Sequence, residues 1–179
     1  MMKTLSPQSK LLLVPPSHPA LSKKLDNFNF EDETIDRQYL VDGMVEMMQS
    51  SGAAGLAANQ LGLEHRVFVL NTAPKVLVCF NPKIVHFSEK YSVYEEGCLT
   101  YPGFYVKIRR PENIRVRFQD IHGNVQTENL NKLPARAFQH ELDHLDGINY
   151  MSRAKRVHME QAKRKMKLIT RKLKRLQIA

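Results

Sequence analysis

One segment limits this chain more than any other: residues 134–147, where Pro134 and Gly147 bracket the pattern His140-Glu141-x-x-His144. Proline suits the first turn of a helix, where its missing N–H has no partner to lose, and glycine suits the left-handed position just past a helix end. The spacing predicts a helix over residues 134–146. His140 and His144 then stand one turn apart on a single face, as two imidazoles must to reach one metal ion. Glu141 is next to the first histidine. It can lean toward that ion without ligating it and carry a proton to and from water. Phe138, Leu142 and Leu145 fall on the other side, so this helix is expected to be largely buried, running through the middle of its domain.

The rest of the chain must wrap a core around such a helix, and 179 residues suffice for one domain of this kind. Residues 1–34 read as an irregular lead-in broken by Pro7, Pro15-Pro16 and Pro19. Tyr39, Leu40, Met44, Met47 and Met48 recur at helical spacing and predict a helix over residues 34–49, ended by Ser50-Ser51-Gly52. Strand signals follow at residues 67–70, 76–80, 84–87, 91–94 and 114–118, with 125–130 as the return strand of a hairpin. A last helix is predicted over residues 153–176. Strands in the middle and helices toward the ends give an α+β fold class: antiparallel sheets around the central HExxH helix, with a C-terminal basic amphipathic helix. The division expected is a catalytic domain over residues 1–150 and a basic helix over residues 151–179. No apolar run approaches the length of a membrane span or a signal-peptide core. The cytoplasm is therefore the expected compartment, an organelle the alternative, and no membrane is expected. A monomer is expected.

Two histidines leave the reaction undecided, because the third ligand names the chemistry. Downstream, a metallopeptidase would need Asp146, His158 or Glu160, none of which is well placed. Upstream, Glu95-Glu96-Gly97-Cys98-Leu99-Thr100 carries a cysteine after a strand at a glycine turn. A thiolate is a strong ligand for zinc or ferrous iron. A small buried hydrophobe is the other reading of Cys98. Cys79, inside the apolar run 76–80, reads as a core residue, and a disulfide between the two cysteines is not expected in a reducing compartment.

Three segments taken together resemble the peptide deformylase family: Gly55-Leu56-Ala57-Ala58-Asn59-Gln60, Glu96-Gly97-Cys98-Leu99-Thr100, and Gln139 through Gly147. The resemblance covers roughly residues 10–150. It implies that Cys98, His140 and His144 hold one divalent metal ion, with a water or hydroxide as fourth ligand. Fe2+ is favoured, and Zn2+ or Ni2+ are the alternatives. It implies Glu141 as general acid/base, and the Gln60 amide with the Leu99 N–H as donors to the oxyanion. The implied reaction is removal of the N-formyl group from the formyl-methionine of newly made polypeptides, with release of formate. Gly55, Gly97 and Ala137 are the substrate-binding candidates. Glu96 and Arg110 are implied as a structural pair near the site. Two departures stand out: Ala53 where the family has Gly, and Thr100 where it has Ser.

The net charge of +9 is unevenly spread, since residues 151–179 hold 11 Lys/Arg against the single acid Glu160. Met159, Ala162, Met166, Ile169, Leu173 and Leu176 repeat at 3-4 spacing as one apolar stripe. Packing on the chain's own domain, with a solvated charged face outside, is one reading. Docking on the ribosome (rRNA) through Lys163, Arg164, Lys167, Arg171 and Lys174 is the other. It is suggested by the resemblance, with contacts to phosphates that weaken with salt.

Overall fold

The structure, a computed structural model, describes residues 11–177, the side chains of residues 175–177 excepted. Of the residues read above, Pro7 and the side chain of Leu176 lie outside the described residues. Helix α1 spans Arg37–Ser50 and begins later than its periodicity suggested, because Asp36 turns its carboxylate onto the Tyr39 N–H as an N-cap. Seven strands follow: β1 Gly55–Ala57, β2 Val67–Asn71, β3 Val76–Phe87, β4 Tyr91–Cys98, β5 Tyr101–Pro111, β6 Asn113–Gln119 and β7 Val125–Asn131. Helix α2 is Lys132–Leu145, and α3 is Arg156–Gln177.

The strands form two antiparallel sheets, one five-stranded in the order β1-β2-β3-β6-β7 and one of β4 and β5. Side chains alternate across the larger sheet with period two. In β2, Phe68 and Leu70 face the core that holds Phe138 and Leu145 of α2, whereas Val67 and Val69 face Leu40, Met44 and Met48 of α1. The sheet thus lies between the two helices. Phe68 and Phe138 meet edge to face at 4.9 Å. The predicted strands 76–80 and 84–87 are one strand, β3, interrupted by a bulge where Asn81 takes φ 49°. β1 and β5 had no counterpart in the sequence reading. β1 is a short run of small residues, and the breakers Pro102, Gly103 and Pro111 hid β5.

Both ends of α2 behave as its sequence suggests. The helix starts two residues before Pro134, which still falls in the first turn. At the other end Gly147 takes φ 68°, and the Ile148 N–H reaches the Asp143 carbonyl at 2.8 Å, closing a Schellman turn. A Cβ on Gly147 would also sit 2.7 Å from the Ser22 carbonyl oxygen, so glycine is required there twice over.

The basic helix divides along its length. Ala162 is buried and Met159 half-buried against Val106, Ile108 and Tyr150, and Met166 sits near Gly103. Beyond that point the expected stripe is in water, with Ile169 43% and Leu173 55% exposed. A separate turn, Tyr150–Arg153, precedes α3, which therefore starts later than predicted. Among the described residues, no helix is long and apolar enough to cross a membrane.

Candidate metal centre

Three segments meet at a cleft of about 420 Å³. β1 contributes Gly55 and the turn after it Gln60, the end of β4 contributes Glu96 to Leu99, and α2 contributes Ala137, His140 and Glu141. His144 lies one turn further along α2, and the ligand atoms of Cys98, His140 and His144 all lie within 4.8 Å of one another. The Cys98 Sγ is 3.2 Å from the His144 Nε2. The histidine rings are buried with centroids 5.1 Å apart.

This donor set fits a divalent transition metal. One soft thiolate and two imidazoles, mostly withdrawn from water, match zinc and ferrous iron and not the oxygen-seeking magnesium or calcium. Electrostatics point the same way. Burial opposes a charge on His140, but its hydrogen bonds to Cys98 and Glu96 outweigh burial and raise its pKa to about 10. Burial, together with charged His140 and Arg110, lowers His144 to about 3. The surroundings of His140 thus favour positive charge while His144 stays neutral, and a cation held by both rings would displace the proton on His140.

Glu141 lies beside the trio with its Oε2 buried and without a hydrogen-bond partner. Burial pushes its carboxyl up to about 7, against the pull of His140 and Arg110. Gly55 makes room for it: a Cβ there would fall 2.7 Å from the Glu141 Cγ and Oε1. Gln60 is held at both ends of its amide. Its Oε1 accepts the Ala57 N–H at 2.9 Å, which turns the NH2 toward the Thr100 Oγ1 at 3.1 Å and the Cys98 Sγ at 3.4 Å. The threonine that replaces serine therefore keeps a working hydroxyl. Ala53 takes no positive φ and lines the cleft, so its methyl alters the wall and not the backbone. Gly97 lies so close to the Tyr105 ring that a Cβ would be 2.6 Å from it.

Glu96 and Arg110 do meet, in the interior and in larger company. The Arg110 Nε and Nη2 donate to the two Glu96 oxygens at 2.7 and 2.9 Å. Arg136 donates to Glu96 Oε1 at 2.6 Å, and His140 Nδ1 lies 3.1 Å from Oε2. With Nδ1 engaged, Nε2 of His140 is the nitrogen left to ligate. Burial would raise the Glu96 pKa, yet bonds from His140 and Arg110 hold it at about 2. Sequence reasoning missed Asp143 and Arg136. A usable signal existed, since Arg136 lies one turn before His140 and Asp143 is a charged residue inside the HExxH pattern. Asp146, weighed as a downstream ligand, instead pairs with Arg66 at 2.9 Å.

Four of the five basic candidates on α3, Lys163, Lys167, Arg171 and Lys174, line one groove of about 450 Å³ beside Phe104. Arg164 does not line it. α3 also reaches the cleft rim, where Lys165 pairs with Glu95 at 3.4 Å.

Residues 11–160 match the family model described as polypeptide deformylase. A chloroplastic/mitochondrial peptide deformylase 1B of Arabidopsis thaliana is 36% identical over 82% of this chain, and the match spans only 55% of that longer protein. A peptide deformylase of Thermotoga neapolitana is 36% identical over 76% of this chain and 82% of its own. The crystal structure of a plant peptide deformylase superposes with a TM-score of 0.81 at 33% identity, covering 94% of this chain and 93% of that one.

Proposed function

Because the chain belongs to the polypeptide deformylase family of hydrolases, we propose that it removes the N-formyl group from the formyl-methionine of newly made polypeptides. One water is consumed, the formyl C–N bond breaks, and formate and a free amine leave. The observation that carries this reading is the juxtaposition of the half-buried Cys98 and the buried His140 and His144 donors with the unpartnered carboxylate of Glu141 in a cleft that also holds the Gln60 amide.

Amide hydrolysis needs a nucleophile, a proton carrier and donors for the oxyanion. Cys98, His140 and His144 would hold a divalent ion, whose Lewis acidity would make water nucleophilic near neutral pH. Fe2+ is our first reading for this thiolate-bearing set, with Zn2+ and Ni2+ as alternatives. Glu141 accepts the proton from the attacking water and passes it to the departing amine nitrogen. The Gln60 NH2, oriented through Ala57, and the Leu99 N–H donate to the carbonyl oxygen as it gains charge, each contributing a few kcal/mol, on the order of 3. β1 is an edge strand, and its first residue, Gly55, lines the cleft together with residues 51–54 before it. An extended peptide can add there, with Gly55, Gly97 and Ala137 lining the cleft it enters.

The test is metal analysis combined with a formate-release assay on protein prepared without oxygen. Formate should appear in step with new free amine, and unblocked peptides should stay intact. Loss of activity in air marks iron, and retention marks zinc or nickel, which the metal analysis tells apart. Metal-loaded protein that releases no formate would overturn the proposal.

The same reading gives α3 a partner, ribosomal RNA, in support of which Lys163, Lys167, Arg171 and Lys174 share one groove. Reversing Lys167 and Arg171 to Glu should abolish ribosome cosedimentation at moderate salt while leaving short formyl peptides turned over normally. The wild-type protein should lose affinity steeply as salt rises, with a log–log slope of about −0.7 to −0.9 per phosphate contacted. Equal cosedimentation of the reversed variant would remove this partner. For the compartment we keep the cytoplasm, with an organelle as the alternative.

A further inference from the structure

The charged chain behind the metal centre does not end at Arg110. Its third guanidinium nitrogen, Nη1, donates to Asp143 Oδ2 at 2.8 Å, so Arg110 is suspended between two buried carboxylates, Glu96 and Asp143. Asp143 is held from its other side by Arg153, whose Nη2 reaches Oδ1 at 2.6 Å and whose Nε reaches Oδ2 at 3.3 Å. Glu96, Arg110, Arg136 and Asp143 are all buried, whereas the Arg153 side chain is 46% exposed. Arg153 is thus the end of the chain that touches water, and it stands in the turn just before α3.

We infer that Arg153 is a positioning residue for the metal centre, acting through Asp143, Arg110 and Glu96 on His140. The inference rests on the metal-centre reading above and goes beyond it by one residue in the turn before α3. A half-exposed ion pair contributes little to stability by itself. The partner makes the difference here, because Asp143 is buried and shares Arg110 with Glu96. Satisfied by Arg153, Asp143 leaves the Arg110 fork on Glu96, and Glu96 holds the Nδ1 of His140 in place. Stripped of Arg153, Asp143 draws Arg110 toward itself. The grip on Glu96 loosens, and with it the orientation of the ring that ligates through Nε2. Outer partners of a ligating histidine commonly govern metal affinity in this way.

Cobalt(II) titration of metal-free protein tests the inference without reference to turnover, since thiolate charge-transfer and visible bands report ligand geometry. Arg153→Ala should weaken cobalt binding about 10-fold and shift the visible bands. Arg153→Lys, which restores the charge, should recover most of the affinity and also covers the case in which the alanine variant fails to fold. Arg156→Ala removes an exposed pair with Glu160 and should match wild type in both readouts. Wild-type affinity and spectrum in Arg153→Ala, or equal weakening in Arg153→Ala and Arg156→Ala, would overturn the inference. A wild-type protein that takes up no cobalt would overturn the metal-centre reading, and this inference with it.

Discussion

Glu141→Gln is expected to lower turnover of a formyl-methionyl peptide by roughly 10²–10⁴-fold while leaving bound metal at the wild-type level. Glutamine keeps the shape and polarity of the side chain but can neither take a proton from water nor return it. Glu141 is not one of the Cys98, His140 and His144 donors, so the ion should stay. The environment also prepares this carboxylate for its task, since burial moves it toward neutrality, to about 7. A divalent cation beside it pulls that value down again, so the working range extends below neutral pH. Gly55→Ala provides a geometric check, because the new methyl would fall against the Glu141 carboxylate and displace it. Its kcat should fall, with metal content unchanged. A Glu141→Gln protein that still releases formate at the wild-type rate would remove Glu141 from the mechanism.

How much of this was visible in the chain alone depends on whether the physical signal was local. α2 was legible because both its ends and both its faces are written in residues 134–147. Cys98 could be matched to it, although it is remote in sequence, because few residue types can complete such a donor set. Glu96 and Arg110 were paired by resemblance, but the size of their network was not visible. Arg136 and Asp143 join it from α2 and Arg153 from the turn before α3, and only the packing of α2 against β4 and β5 brings them to Glu96 and Arg110. β5 was missed for a reason beyond its breakers Pro102, Gly103 and Pro111. Its inward positions Val106, Ile108 and Arg110 do alternate, yet an arginine in an inward place reads as surface until its buried partner is known. In α3 the period was right and the burial was not, because β5 extends only far enough to cover the stripe up to Met166. Periodicity states which residues share a face. It does not state whether anything lies against that face.

Glu96 is where fold and chemistry are least separable, and Glu96→Gln is expected to damage both. In the wild type this one carboxylate answers two buried guanidiniums, Arg110 and Arg136, and the Nδ1 of His140. An amide fills the same space without the charge, and its NH2 would face donors that need an acceptor. Breaking a buried pair from one side costs about 3–5 kcal/mol, because the remaining cations cannot be rehydrated. For a chain of this length that corresponds to a fall in Tm on the order of 10 °C. Metal affinity should drop about 10–100-fold as His140 loses its acceptor. The pH dependence separates this account from a general packing defect. Glu96 is held at about 2, well below its ordinary 4.5, so the folded value is the depressed one. Its contribution is therefore fully present above about pH 4.5 and is withdrawn as pH falls toward 2. The Tm gap between metal-free wild type and metal-free Glu96→Gln should be widest above about pH 5 and should shrink by about pH 3, as the wild type loses what the variant never had. A gap that stays constant across that range would mean that the substitution acts through packing and not through the charge.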